Sequence, residues 1–156
     1  MKSSESAPVT CIRDMVQADI ERCVFIERRA ASFGWNEKKL HDSLLAGYQG
    51  TVLVADDGIA GYCVAMELPF EMQILNLVID RCSQGKRFGT RLLCYLIENA
   101  KQAGMAEIWL EVRATNCSAI SLYRSAGFDF FGTRKNYYPT AEAREDALIM
   151  RKPLAG

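Results

Sequence analysis

Segment 72–112 constrains the fold more than any other part of the sequence, because the spacing of its apolar residues changes twice. Met72 to Ile79 is an apolar run rich in Ile, Leu and Val, which is typical of a strand. From Gly89 to Ala103 the apolar residues fall on one helical face, Gly104 follows as a stop, and Glu107 to Val112 is again strand-like. A strand, helix and strand in this order place the two strands parallel, joined by a right-handed crossover. We expect a ligand where these segments join.

The rest of the chain predicts a strand, two helices and two strands before this unit, and a helix and two strands after it. The predicted ranges are Val9 to Arg13, Val16 to Ala31, a helix after Trp35, Thr51 to Ala55, Ile59 to Leu68, Ser118 to Ala126, Phe128 to Tyr138 and Ala147 to Arg151. Asn36 is a good N-cap for the second helix and Gly47 a suitable stop. The turn Asp56-Asp57-Gly58 indicates a hairpin, so the central strands are expected to form an antiparallel meander.

These elements predict a single domain of the α/β (α+β) class. Its sheet is expected to be mixed but mostly antiparallel, with about six to seven strands flanked by about four helices. The chain has 156 residues, 49% of them hydrophobic, which is enough for one core but short for two. Residues 1–8 are polar and are predicted to be a flexible N-terminus, which leaves 9–156 for the domain.

The charge balance and the cysteines exclude several classes of function. Lys plus Arg and Asp plus Glu number 19 each, so no net field directs the protein toward nucleic acid or an anionic membrane. The N-terminus MKSSESAP lacks the apolar stretch of a signal peptide, and no run approaches the roughly 18 apolar residues of a spanning helix. A cytoplasmic protein is therefore expected, in which the six cysteines, none in a CxxC pair, remain reduced thiols.

The single histidine, His41, argues against a metal site and against Ser-His-Asp or Cys-His catalysis. It lies in a helical-looking run beside charged neighbours, where a solvated surface histidine is expected. Of the cysteines, Cys117 alone has a helix-start setting, just after Asn116. Direct attack of one substrate on the other is therefore favoured over covalent catalysis through a cysteine.

The turn from Gln84 to Gly89 lies between a predicted strand and the start of a predicted helix. Free backbone N–H groups and the helix dipole can hold phosphate oxygens at such a place. Lys86, Arg87 and Arg91 would add positive charge. An ordinary strand-to-helix loop with solvated basic residues fits the same segment equally well.

Two further residues have more than one interpretation. Glu111 interrupts the apolar strand, so its carboxylate either faces water or is half-buried and able to take a proton near neutral pH. Tyr123, with Ile120 and Leu122 as apolar companions, is on its own evidence an ordinary core or rim aromatic. Asn116 is a possible N-cap of the helix that carries Tyr123.

The chain resembles the GNAT superfamily, which carries the pattern Gln or Arg, two residues, Gly, one residue, Gly or Ala at the turn described above. Gln84 and Gly89 match this pattern, but Arg87 stands where the first glycine is usual. A side chain there disfavours a positive φ and could crowd a pyrophosphate, unless Arg87 is helical and adds a charge-assisted hydrogen bond.

More specific segments resemble the ribosomal-protein-alanine N-acetyltransferases of this superfamily: FIERRAASFGW (25–35), LEVRATN (110–116), Ala119, Leu122, Tyr123, GF (127–128), NYYP (136–139) and REDALIM (144–150).

The resemblance implies a GNAT fold and an enzyme that acetylates an amine with acetyl-CoA. The residues expected to contact acetyl-CoA are Leu77, Val78, Ile79, Gln84, Gly85, Lys86, Arg87, Phe88, Gly89, Thr90 and Asn116. Glu111 would be the general base, and Tyr123 would protonate the leaving thiolate of CoA. A backbone N–H among residues 77–79 would polarise the thioester carbonyl. Trp35, Tyr137 and Tyr138 would line a channel for a protein N-terminus, that of a ribosomal protein.

Amine chemistry favours an α-amine as the acceptor. Its usual pKa of about 7.7 to 8.0 leaves on the order of a tenth of it neutral at pH 7, whereas lysine, at about 10.4, is neutral in well under one part in a thousand. Two other hypotheses remain: an acetyltransferase for a small free amine or for lysines, and a non-catalytic acyl-CoA-binding sensor. The pairing of Glu111 with Tyr123 argues against the sensor.

Overall fold

The computed structural model describes residues 10–30, 34–56 and 58–154. Within them, seven strands and four α-helices follow one another in the predicted order. They are β1 Cys11–Asp14, α1 Ile20–Ala30, α2 Glu37–Leu45, β2 Gln49–Ala55, β3 Gly58–Glu67, β4 Glu71–Ile79, α3 Phe88–Gln102, β5 Glu107–Arg113, α4 Cys117–Ser125, β6 Asp129–Pro139 and β7 Arg144–Pro153. Two short 3-10 turns, Gln17–Asp19 and Arg81–Ser83, lie before α1 and before α3.

The boundaries differ from the prediction at a few places. The 3-10 turn Gln17–Asp19 takes the first residues of the predicted helix 16–31, so α1 itself begins at Ile20. β7 begins at Arg144, three residues before the predicted start, because Arg144 and Glu145 pair with the last two residues of β6. Val9, Ala31 and Asp57, like the predicted flexible segment 1–8, lie outside the described residues.

The sheet is mixed and mostly antiparallel, as predicted, with strand order β1-β2-β3-β4-β5-β7-β6. β2, β3 and β4 form the predicted antiparallel meander. β4 and β5 are the parallel pair, and α3 is the crossover between them. No helix in the described part of the chain is long and apolar enough to cross a membrane.

Helices cover both faces of the sheet. One core cluster joins the sheet to α3 and α4 and includes Leu92, Leu96 and Tyr123. The other joins it to α1 and α2 and includes Ile26 and Leu40. We refer to these as the α3/α4 face and the α1/α2 face, since the functional groups described next divide between them.

Helix ends follow the predicted capping chemistry. The Asn36 side chain accepts a hydrogen bond from the Lys39 N–H at 2.8 Å and caps α2, and Asn116 accepts one from the Ala119 N–H at 3.2 Å and caps α4. Gly47, just after α2, has a φ of 86°, a left-handed conformation that favours glycine. The sequence therefore predicted where these helices begin and end.

Candidate active site

β4 and β5 pair over only part of their length. Their parallel register runs from Glu71 opposite Glu107 to Ile74 opposite Leu110 and then ends. β4 continues beside β3 to Ile79, while β5 continues beside β7. The two strands thus separate in the middle of the sheet, between residues 75–79 of β4 and 111–113 of β5. We refer to this gap as the opening.

A bulge in β4 coincides with the start of the opening. Ala65 of β3 pairs with Ile74 and Val64 pairs with Asn76, so that Leu75 is an extra residue in β4. A bulge bends its strand and increases the local twist, which accounts for the departure of β4 from β5. Along the opening, backbone groups on the β5 side of residues 75–79 have no strand partner among the described residues. The N–H predicted to act as donor, one among residues 77–79, belongs to this segment, in which alternate N–H groups face β3 and the opening.

Glu111 lies on β5 at the edge of the opening. Ile108, Leu110 and Val112 belong to the core under α3, so strand alternation places Glu111 on the α1/α2 face. Its side chain is 15% exposed, and Oε1 lies 2.9 Å from Arg134 Nε. Of the two positions that the sequence allowed for this carboxylate, facing water or half-buried, the structure shows the half-buried one. The carboxylate is also ion-paired.

Tyr123 lies on the other face of the sheet. It is buried on α4 within the core under α3, with its ring 5.8 Å from that of Phe128 in an edge-on arrangement. Burial raises the pKa of Tyr123 well above its usual value, and the nearby Cys63 and Tyr138 raise it further. Its phenol therefore keeps its proton at neutral pH.

A second bulge precedes Tyr138 in β6. Residues 135–137 of β6 stand opposite a single residue of β7, and Asn136 has a φ of 54° while its N–H donates to Asp146 Oδ1 at 3.0 Å. Burial, and then the charge of Glu111, raise the pKa of Tyr138 to about 12. Tyr138 in turn raises the pKa of Tyr123.

The other predicted channel residues are further apart. Tyr137 is 42% exposed and packs edge-on against Tyr138 with ring centroids 5.0 Å apart. Trp35 is half-buried beside α2, where Lys39 Nζ lies 4.4 Å from its ring centroid, and it packs on the core of the α1/α2 face. Tyr138 and Trp35 thus lie on opposite sides of the opening, Tyr138 beyond β5 and Trp35 beside α1 and β4.

The turn before α3 has the geometry of an anion site. Arg91 N–H makes the first intrahelical hydrogen bond, to Arg87 O at 3.1 Å, so the N–H groups of residues 88–90 have no helical partner. Gly85 has a φ of 83°, and Lys86 and Arg87 are exposed.

Arg87 adopts the backbone conformation of the glycine it replaces. Its φ and ψ are 62° and 22°, and α3 begins after it, at Phe88. The expectation that Arg87 could be helical is therefore wrong. The turn keeps a left-handed residue at this position although its side chain disfavours one. At Gly89 the start of α3 lies close to α4, since a Cβ there would lie 3.2 Å from the Leu122 side chain.

The remaining candidates lie outside the opening. His41 is half-buried on α2 and lines a surface hollow with Asp14 and Glu67. Cys117 is exposed in the first turn of α4, next to the cap residue Asn116. The partner that the structure gives to Glu111 is Arg134, and neither His41 nor Cys117 is bonded to it among the described residues.

Sequence reasoning missed three residues near the opening. Arg134 is the ion-pair partner of Glu111, but no pattern in the charged segment around it marks it as a functional residue. Glu27 is only 4% exposed on α1, and Asn76 is half-buried on the opening side of β4. Both carried a signal: Glu27 shares the helical spacing of apolar Ile20 and Val24, and Asn76 interrupts the apolar run 72–79.

Comparisons with known proteins agree on a single family. Residues 18–128 match the acetyltransferase (GNAT) family. The [ribosomal protein bS18]-alanine N-acetyltransferase of Salmonella typhimurium strain LT2 is 39% identical over 130 residues, which cover 83% of this chain and 88% of that protein.

Solved structures have the same fold. The crystal structure of the ribosomal-protein-S18-alanine N-acetyltransferase from Escherichia coli has a TM-score of 0.88 at 35% identity, covering 95% of this chain and 97% of that one. Ard1 from Thermoplasma volcanium has a TM-score of 0.83 at 21% identity, covering 94% and 99%. At that lower identity, Ard1 supports the fold alone.

Proposed function

The chain belongs to the acetyltransferase (GNAT) family and is an N-acetyltransferase, and from this premise we propose that its acceptor is the α-amine of an N-terminal alanine of ribosomal protein bS18. The relatives named for that reaction are 35 to 39% identical to this chain over most of its length. The exposed Tyr137 and half-buried Tyr138 beside the opening, with Trp35 on its other side, are the residues proposed to receive the peptide.

One observation supports the proposed chemistry: Glu111, at the edge of the opening, and Tyr123 lie on opposite faces of the sheet. Transfer of an acetyl group needs a proton taken from the amine and a proton given to the thiolate. Two groups on opposite sides of the reacting carbonyl can do this without competing for one proton. Glu111, on the α1/α2 face, is placed for the amine, and Tyr123, on the α3/α4 face, for the thiolate.

The proposed reaction proceeds by direct attack. Glu111 takes a proton from the α-ammonium group, and the amine nitrogen then forms a bond with the acetyl carbon while the bond from carbon to sulfur breaks. N–H groups among Leu77, Val78 and Ile79 donate to the carbonyl oxygen as it gains charge. Tyr123 donates its proton to the departing sulfur. The nitrogen loses a second proton as it becomes an amide, and that proton passes through solvent to restore the Tyr123 phenol.

The turn before α3 fits the pyrophosphate of acetyl-CoA, which the family uses as acetyl donor. Free N–H groups at the start of a 15-residue helix favour an anion, and Lys86 and Arg87 add exposed positive charge beside them. The cofactor is proposed to contact the turn through Gln84, Gly85, Lys86, Arg87, Phe88, Gly89 and Thr90. Asn116, already the cap of α4, is proposed to contact its pantetheine arm.

Arg87→Gly is expected to change stability and cofactor affinity in opposite directions. A left-handed non-glycine residue costs about 1–2 kcal/mol, while glycine loses roughly 0.5–1 kcal/mol through its freer unfolded state. The variant should therefore gain up to about 1 kcal/mol, a rise in Tm of about 2–4 °C. Loss of the guanidinium should weaken acetyl-CoA binding about two- to fivefold at low salt.

Thermal melts with and without acetyl-CoA measure both effects. Lys86→Gly is the matched control, because Lys86 is also exposed but lacks a positive φ, so its Tm should fall. A fall of equal size in Arg87→Gly would contradict the strain argument. An unchanged affinity would remove Arg87 from the cofactor site, and the absence of any thermal shift of the unmodified protein with acetyl-CoA would contradict the cofactor assignment.

Substrate choice is tested with two peptides that each carry one free amine. One has the bS18 N-terminal sequence with a free alanine, and the other is blocked at its N-terminus and carries a lysine. At pH 7 the alanine peptide should be acetylated at least about a hundredfold faster, since far more of its amine is neutral. Equal rates would indicate a lysine or general amine acetyltransferase, and no turnover of any amine would indicate a sensor.

A further inference from the structure

A buried carboxylate beside the opening has a full set of hydrogen-bond donors. Glu27 Oε2 accepts from the Tyr62 hydroxyl at 2.8 Å and from Asn76 Nδ2 at 3.3 Å, and Oε1 accepts from the Trp35 backbone N–H at 3.0 Å. A side chain at Gly34 would collide with Glu27 Cγ, so the chain before α2 packs directly on it. Glu27 thus joins α1 and the chain around Trp35 to β3 and β4.

This network fixes which end of the Asn76 amide faces the opening. Asn76 Nδ2 donates to Glu27 and also to the Tyr62 hydroxyl, at 2.9 Å. An ionised carboxylate only accepts hydrogen bonds, so the NH₂ end of the amide must face Glu27. Burial, and then the charge of Glu27, raise the pKa of Tyr62, which keeps its hydroxyl protonated as a donor. Asn76 Oδ1 accepts no hydrogen bond from any described residue.

Asn76 and Glu111 lie on the same face of the sheet, on the two sides of the opening. Asn76 Nδ2 is directed at Glu27 of α1 and at Tyr62 of β3, so Oδ1 is the end of the amide that is turned away from both. Glu111 projects from β5 onto this same α1/α2 face. An amine entering from this face meets an acceptor oxygen on each side.

We propose that Asn76 Oδ1 accepts a hydrogen bond from the acceptor amine, and that Glu27 and Tyr62 are positioning residues that hold the amide in this orientation. The inference rests on the proposed function, because it assigns a contact to the α-amine. An α-ammonium group has three N–H donors, of which Glu111 removes one proton. A second N–H held by Asn76 orients the nitrogen, so that its lone pair can point at the acetyl carbon.

Glu27→Gln provides a sharp test because it disturbs the orientation of Asn76 without removing Asn76. If the Gln oxygen takes the Trp35 N–H, its NH₂ group faces the NH₂ of Asn76, and the Asn76 amide must rotate to present its own NH₂ to the amine. Asn76→Ala removes the acceptor outright. Both variants should lower kcat/KM for the alanine peptide about tenfold to a hundredfold, the range for a hydrogen bond to a charged group.

The double variant separates a shared role from two independent ones. If Glu27 acts through Asn76, then Glu27→Gln combined with Asn76→Ala should be no worse than Asn76→Ala alone. Asp19→Asn is the matched control: Asp19 is also a buried carboxylate on the α1/α2 side, accepts from Arg13 Nη1 at 2.8 Å, and is not part of this network. It should lower Tm and leave kcat/KM unchanged. The dissociation constant for acetyl-CoA, measured separately, should be unchanged in every variant.

The outcomes distinguish this inference from the proposed function. If the unmodified enzyme acetylates the peptide and Asn76→Ala loses no more kcat/KM than Asp19→Asn, the contact with Asn76 is wrong and the function stands. Additive losses in the double variant would show that Glu27 does not act through Asn76. If the unmodified enzyme does not acetylate the free alanine peptide, the proposed function is overturned, and the Asn76 contact with it.

Discussion

Glu111→Gln is expected to lower turnover of the alanine peptide at pH 7 by a factor of about 10² to 10⁴, the usual loss on removing a positioned general base. Gln nearly keeps the shape of Glu but cannot take the ammonium proton. Raising the pH to about 9 leaves roughly nine-tenths or more of a free α-amine neutral. The deficit relative to the unmodified enzyme should therefore narrow from pH 7 to pH 9, with acetyl-CoA binding nearly unchanged.

The structure supplies a matched control for this variant. Glu107 lies on the same strand and face as Glu111 and lies 3.7 Å from an arginine, Arg151, but it belongs to the part of β5 that is still paired with β4. Glu107→Gln should leave turnover unchanged. In Glu111→Gln the half-exposed Arg134 can be solvated, so stability should fall by no more than about 1 kcal/mol. Full activity of Glu111→Gln across the pH series would make Glu111 a structural residue.

Tyr123→Phe is expected to lower turnover by a similar factor, about 10² to 10⁴, but to gain little from high pH. The missing group acts on the departing sulfur, and deprotonating the amine in advance does not replace it. Burial raises the pKa of Tyr123, so the unmodified enzyme keeps this donor protonated throughout the series. Because the ring stays packed against Phe128, Tm should change little.

Two other tyrosines make this result specific. Tyr48 precedes β2 and packs on the α1/α2 face, away from Tyr123, so Tyr48→Phe should have full turnover. Tyr138 is the alternative donor to test, because the charge of Glu111 raises its pKa and it in turn raises the pKa of Tyr123. Initial rates of all three variants over the same pH series decide between them. A large loss in Tyr138→Phe together with an active Tyr123→Phe would transfer the acid role to Tyr138.

The local pattern of the sequence was enough for the order of elements and for most of their ends. Apolar spacing, cap residues such as Asn36 and stops such as Gly47 act over a few neighbouring residues, so they can be recognised without knowing the fold. The same is true of the parallel β4 and β5, which follow from the crossover rule. The turn before α3 was also predicted, from its position between a strand and a helix.

Conformation at single residues was harder to predict. Arg87 adopts a left-handed conformation that its own side chain disfavours, because the surrounding turn and the start of α3 require it. The bulges at Leu75 and at residues 135–137 depend on the register in which β4 pairs with β3 and β6 pairs with β7. No local pattern reports such a register.

The sequence by itself determined which side chains were available for the chemistry: Glu111, Tyr123 and the basic turn were all predicted before the fold was known. Only the tertiary structure decided how they are arranged. It opened β4 from β5, placed Glu111 and Tyr123 on opposite faces, paired Glu111 with Arg134, and oriented Asn76 through Glu27. The physical reason is that residue types and local periodicity are encoded by neighbours in the chain, whereas strand register, ion pairs and hydrogen-bond direction depend on contacts between residues far apart in it.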